Sequence, residues 1–320
     1  MRKVQTKRDL IVLGLISLTL LLSSSEAFSW GFATHAYIDD HLGQEGPWAN
    51  LQEIYGGVAP DLFNYLFDDP VALAFLSDQT HHHPLKVWKA AGRSLEKPLA
   101  HGFVSHNDLW GADYTAHHVC QKCGQTDGYA IARAKELLAL APLPPELGIP
   151  DEVAIEIFHE IVENAVDILI KRKDPWIGYK LTSSALLRSP HFPHLLARAY
   201  AKDFSTTAGI SYPEAARFIL SAEKEFRKTI ILYGQILVQD EETATQLISE
   251  QTADLARGFL ALYEIDLDLP KEAIVELVTS YMMLALQICE DDYLDEIAAT
   301  IHFVKGQLKA HGITYEQKHF

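Results

Sequence analysis

His106, Asp113 and His117 stand seven and four residues apart in the stretch His101-Gly-Phe-Val-Ser-His106-Asn-Asp-Leu-Trp-Gly-Ala-Asp113-Tyr-Thr-Ala-His117-His118. A helical residue advances by ~100°, so this spacing puts all three in one narrow stripe. Two imidazoles and a carboxylate on one face form the N/O donor set that a borderline dication such as zinc takes. A solvated helix face would carry lysine and glutamate, and from Leu99 to Val119 there is neither. The stripe is therefore expected to be buried, where polar side chains need partners and a cation satisfies them jointly.

Other residues could complete such a centre. His159 and Glu163 are four apart in the periodic run from Ile155 to Leu169, hence on one helix face. Alone they read as an exposed polar pair; beside the first stripe they offer an imidazole and a carboxylate to a second ion. Trp30-Gly-Phe-Ala-Thr-His35 places a histidine five residues after a tryptophan. If processing makes Trp30 the first residue, its free amine and adjacent carbonyl can chelate a cation; otherwise the pair reads as a buried tryptophan near a surface histidine. Asp61, within Ala59-Pro60-Asp61-Leu62-Phe63, is a carboxylate in an apolar segment after a turn, a place that also suits a helix cap. His81-His82-His83 precede Pro84 and, taken alone, fit a surface loop.

These donors need rigid elements to hold them, and the periodicity predicts helices. Apolar residues recur at three- and four-residue spacing in Ile155, Phe158, Ile161, Val162, Ala165, Val166 and Leu169. They do so again in Ala215, Ile219, Ala222, Phe226, Ile230 and Tyr233, and through 242–263, 271–288 and 293–308. Breaks are expected at Gly56-Gly57, Asp69-Pro70, Pro142 to Pro150 and Leu269-Pro270. No alternating strand runs and no fixed-period repeat occur, so the fold is expected to be all-α. A Gly-rich phosphate loop and a Gly-x-Ser-x-Gly elbow are absent, which removes the common nucleotide-binding and serine-hydrolase readings.

Composition bounds the partners and the compartment. The 320 residues are 48% hydrophobic, ample for a large core, and carry a formal net charge of −16. So acidic a surface repels phosphate backbones and makes nucleic acid an unlikely partner; no protein partner is indicated. Arg2, Lys3, Lys7 and Arg8 precede a 13-residue apolar run, Leu10 to Leu22, and then Ser23-Ser-Ser-Glu-Ala27-Phe-Ser29. That is a signal-peptide pattern over 1–29, too short for a span of ~20 residues, and it implies export to a periplasm or secretion. Cleavage can follow Ala27 or Ser29. Cys120 and Cys123 form a lone C-x-x-C, half of a zinc ribbon or, preferred in an oxidising compartment, a local disulfide. Cys289 lies in an apolar stretch and reads as a core residue.

The ordered set of Trp-Gly-x-x-x-His, Ala-Pro-Asp, Thr-His, Ser-His…Asp…His and His-x-x-x-Glu resembles the zinc-dependent phospholipases C. It is similar also to the fungal single-strand nucleases and to the N-terminal domain of glycosylphosphatidylinositol phospholipase D. The resemblance covers roughly Trp30 to Ile170. Glu163 is closer to the phospholipase version, since the nucleases more often have Asp there. The resemblance implies a multi-helix bundle with a tri-zinc cleft in a domain over 30–205, leaving 206–320 as a C-terminal helical extension packed on it. It implies that Asp61, His81, His106 and Asp113 hold one zinc ion, and His117, His159 and Glu163 a second. The Trp30 amine and carbonyl, His35 and a shared Asp113 oxygen would hold a third. Asp61 would orient the attacking water or accept its proton. The implied activity is phosphodiester hydrolysis on a phospholipid at a membrane surface met transiently; the alternatives are a nuclease or a non-catalytic zinc-stabilised binding module on the same scaffold.

One spacing departs from the family, in which the helix His and Asp are four apart. Seven residues on an ideal helix raise the axial separation from ~6 Å to ~10 Å, too far for one ion. A break is therefore expected between His106 and Asp113, at Asn107-Asp108 or Gly111, with Asp108 as an alternative ligand.

Overall fold

A computed structural model describes residues 30–43, 46–124 and 126–314. The leader expected over 1–29 lies outside the described residues. Among the described residues there are 14 α-helices and no strand, so the all-α expectation holds.

The helices that position the site come first. α1 (Phe32–Leu42), α2 (Pro47–Val58), α3 (Pro70–His82), α4 (Leu85–Ala90), α5 (Lys97–His106), α6 (Ala112–His117), α7 (Tyr129–Leu140) and α8 (Asp151–Lys173) follow in order. A 3-10 turn, Ala59–Phe63, continues from α2. α8 is the central strut. It runs for 23 residues, buries every residue from Ile161 to Ile170, and packs against α1 and α7. Asp151 and Glu152 in its first turn and Lys171, Arg172 and Lys173 in its last complement its dipole.

Gly56 and Gly57 do not break a helix, contrary to expectation: they lie in the last turn of α2. Their function is close packing. A Cβ on Gly56 would stand 2.2 Å from the Leu99 carbonyl oxygen, and one on Gly102 only 2.0 Å from that of Glu53. The glycines let the backbones of α2 and α5 meet, and the packing outweighs the ~1 kcal/mol helical cost of each glycine.

α9 (Ile177–Leu187), α10 (Phe192–Ala208), α11 (Tyr212–Val238), α12 (Glu241–Leu262), α13 (Lys271–Cys289) and α14 (Tyr293–Ala310) complete the bundle. The domain boundary expected between 205 and 206 falls inside α10. Helices beyond it share the core of those before it. Phe32 meets Phe226 and Tyr233 edge-on at 5.7 and 5.3 Å, Tyr55 donates to Glu223 at 2.9 Å, and Thr115 and Thr300 hydroxyls lie 2.7 Å apart. Cys120 and Cys123 form a disulfide, and Cys289 is buried.

Candidate metal centre

α5 is buried from Pro98 to its last residue, His106. The chain then leaves the helix because the Asn107 side chain accepts the backbone N–H groups of Leu109 and Trp110, both at 3.0 Å, a turn geometry that competes with helix. Gly111 closes the turn; a Cβ there would come within 2.5 Å of the His106 and Asn107 carbonyl oxygens. α6 restarts at Ala112 and returns Asp113 to His106, with Oδ2 2.8 Å from Nε2. The single stripe is thus two short helices joined by a loop, as the spacing required.

Two other elements deliver Asp61 and His81. The 3-10 turn holds Asp61, whose Oδ1 accepts from the Asn64 amide at 2.9 Å; Ser77 in turn donates to Asn64 at 2.6 Å. α3 begins at Pro70 behind an Asp69 cap and carries His81 on its buried face, while His82 sits part-exposed and His83 is exposed. His81 Nε2 lies 3.3 Å from Asp61 Oδ1, 3.7 Å from Asp113 Oδ2 and 3.3 Å from His106 Nε2. His106 Nε2 lies 3.4 Å from Asp61 Oδ1.

These distances test whether a cation fits. Donors ~2.0–2.1 Å from a tetrahedral ion stand ~3.3 Å from one another, and the five contacts just given span 2.8–3.7 Å. The tautomers agree. His106 Nδ1 donates to the Gly57 carbonyl at 2.7 Å and His81 Nδ1 to that of Ser77 at 2.8 Å. A carbonyl only accepts, so each ring turns an Nε2 lone pair toward the other, an arrangement that a shared cation or proton must reconcile.

A second group forms where α6 faces α8. Glu163 Oε1 is 3.5 Å from His117 Nε2 and 3.5 Å from His159 Nε2, one helical turn earlier. His35 supplies a third. Its Nε2 is 3.0 Å from Asp113 Oδ1, and its ring stacks on His106 at 4.0 Å. Because His106 Nδ1 is tied to Gly57, its one Nε2 serves a single ion, and His35 and Asp113 need donors from elsewhere. Trp30 lines a small cleft with Asp61, Tyr65, Glu160 and Glu163. Its indole points away and donates to the Ala112 carbonyl at 3.0 Å. Three buried groups, His35/His106/Asp113, Asp61/His81/His106 and His117/His159/Glu163, could each hold a metal ion, the first two sharing His106.

Burial and charge set the protonation states. Burial lowers His35 and His159 below 6.5 and pushes Glu163 well above 4.5. Burial also works against charge on Asp61, Asp113, His106 and His117, but their neighbours outweigh it. His106 holds Asp61 and Asp113 below the carboxylate range. Asp113 and Asp61 raise His106 well above 6.5, and Asp108 and Glu163 do the same for His117. Several donors also lack hydrogen-bond geometry: His35 and His117 Nε2, both Asp113 oxygens and Glu163 Oε1 are buried without it. Leaving such atoms unmet costs ~1–3 kcal/mol each, which a bound cation removes.

Two residues around the centre, Asp167 and Glu160, went unassigned in the sequence, and Asp108 was expected only as an alternative ligand. Asp167, one turn beyond Glu163, caps α1 from across the fold. Glu160 lines the cleft, and burial pushes it up to about 7. Asp108 is not among the donor groups; it accepts from His117 Nδ1 at 3.0 Å. Only for Asp108 was there a signal, its place in the anomalous seven-residue interval. The chain matches no family profile, no curated protein and no solved structure.

Proposed function

We propose that the protein is an exported, zinc-dependent phosphodiester hydrolase of the phospholipase C type, acting on phospholipids or related head groups. The observation that carries this reading is the convergence of buried histidine, aspartate and glutamate side chains into three donor groups, two of them sharing His106, with Asp61 and Glu163 lining one cleft. The N/O donor set suits zinc. The order of those residues along the chain supports phosphodiester chemistry, and Glu163 supports the phospholipase rather than the nuclease form. The net charge of −16 argues the same way, since it disfavours nucleic acid. The disulfide and the basic-then-apolar N-terminus support a periplasmic or secreted location, where a membrane surface would be met transiently.

Asp61, His81, His106 and Asp113 would hold one ion; His117, His159 and Glu163 a second; His35, Asp113 and the Trp30 main chain a third. When bound, the ions supply Lewis acidity toward phosphate oxygens and a water nucleophile at neutral pH. Asp61 faces the cleft firmly ionised, held there by His106 and His81. So ionised a carboxylate is a weak base, which makes orienting the attacking water its main contribution. Asn64 and Ser77 hold it in place behind.

The test is metal analysis of the mature protein purified without chelator, followed by assays on phosphatidylcholine and single-stranded DNA. Two or three zinc ions per chain and hydrolysis of the lipid are expected. Fewer than one ion per chain overturns the reading. DNA cleavage with inert lipid makes the protein a nuclease, and bound metal with neither activity makes it a binding module. N-terminal sequencing that returns Trp30 supports the third ion; Phe28 as the first residue removes it.

A further inference from the structure

Asp108 is a buried carboxylate with three imidazoles around it. Oδ1 accepts from His117 Nδ1 at 3.0 Å, Oδ2 accepts from His118 Nε2 at 2.9 Å, and His82 Nε2 stands 3.6 Å from Oδ2. Its backbone N–H donates to the His81 carbonyl at 3.2 Å. One residue therefore touches a donor of each inner group, His81 through its main chain and His117 through its side chain. It comes from the loop that makes His106 and Asp113 seven residues apart, so the interruption of the helix is what delivers it.

We infer that Asp108 is the positioning residue of the His117–His159–Glu163 site, fixing which nitrogen of His117 is offered to the cation and holding the ring in that orientation. This rests on the metal-binding reading above. An ionised carboxylate only accepts, so His117 Nδ1 must be the protonated nitrogen and Nε2 carries the lone pair. Nε2 is the atom 3.5 Å from Glu163. Asp108 and Glu163 thus approach opposite nitrogens of one ring. Asp108 stands behind the ligand rather than beside the ion, and the alternative that it ligates directly is not what the geometry provides. Its own backbone N–H anchors it to α3. A carboxylate behind a ligating histidine raises the basicity of the ligand, and losing such a partner costs ~10–100-fold in metal affinity.

The test compares wild type, Asp108→Asn and His117→Ala, each loaded with zinc, by the kinetics of release to a chromophoric chelator. In Asp108→Asn one ion should leave ~10–100-fold faster than in wild type while the others keep their rates. His117→Ala should lack that ion from the start. A second readout needs no variant. Nitrogen-15 NMR of zinc-loaded wild type should show His117 protonated at Nδ1 and metal-bound at Nε2. Uniform acceleration of every ion, unchanged release in Asp108→Asn, or the opposite tautomer of His117 overturns the inference. A wild type that binds no zinc overturns the metal reading itself and is told apart by its zero stoichiometry.

Discussion

Asp167 receives the Thr34 backbone N–H at 2.8 Å and the Thr34 hydroxyl at 2.7 Å, across 133 residues of chain. It also accepts the Ala33 N–H at 2.8 Å and the Tyr233 hydroxyl at 2.8 Å. α1 has no cap of its own, because Gly31 offers no side chain. The carboxylate stands where a Gly31 side chain would be: a Cβ there would lie 2.5 Å from Asp167 Cγ. The helix that carries Glu163 thereby fastens the start of the helix that carries His35.

Removing that cap should loosen the His35 site. Asp167→Ala deletes an N-cap worth ~0.5–2 kcal/mol and leaves buried donors unmet at ~1–3 kcal/mol each, so a loss of at least ~2 kcal/mol is expected. Urea unfolding of the metal-free variant measures it. Gly31→Ala should be destabilised as well, because its methyl group displaces the carboxylate. A stability change within ~0.5 kcal/mol for both would mean that the long-range cap does not hold α1.

Asp113 reaches His35 with Oδ1 and His106 with Oδ2. Asp113→Asn keeps the shape and removes the charge that two nearby cations would share. Metal content should fall by at least one ion, and phosphodiesterase activity by ~100-fold or more, the scale for a preorganised electrostatic group. Full metal content in this variant would refute the shared role.

Within the histidine triplet, His81 faces the centre and His82 faces Asp78 and Asp108. His81→Ala should lose an ion outright, and His82→Ala should retain wild-type stoichiometry. The opposite pattern in elemental analysis would reverse the assignment.

The metal-free and metal-loaded proteins should respond oppositely to pH. His106 and His117 stand above 6.5 and Glu163 above 4.5, so above pH 6.5 the native state binds more protons than the unfolded chain. The contribution of His106 and His117 to metal-free stability is fully present below pH 6.5 and that of Glu163 below pH 4.5, and each falls as the pH rises through the raised value. Asp61 and Asp108, held low, contribute stability that is fully present above the ordinary carboxylate range, so they add no slope in this interval. A cation needs deprotonated ligands, so the stabilisation it adds grows from pH 6.5 to about pH 8.5. Thermal melts across that interval should show the metal-free midpoint falling and the gap to the zinc-loaded midpoint widening. A metal-free midpoint that climbs would contradict the protonation states assigned here.

The helical class and the burial around His106 were legible in the sequence because each is a local property. Periodicity reports a helix face, and the absence of lysine and glutamate around His106 reports its burial. Even the break before Asp113 could be read, since ~10 Å of ideal helix cannot serve one ion. Tertiary structure alone decided the rest. Gly56-Gly57 looked like a break because conformational freedom is visible in sequence, whereas the α5 backbone against Gly56 and the Asp39 side chain against Gly57 are not. The packing of Phe32 against Phe226 and Tyr233, from far along the chain, is likewise invisible in composition. The parts of Asp108 and Asp167 depend on hydrogen bonds to residues 9 and 133 or more positions away, to His117 and to the start of α1. Side-chain type names an acceptor, but only the packed chain determines which donor it meets.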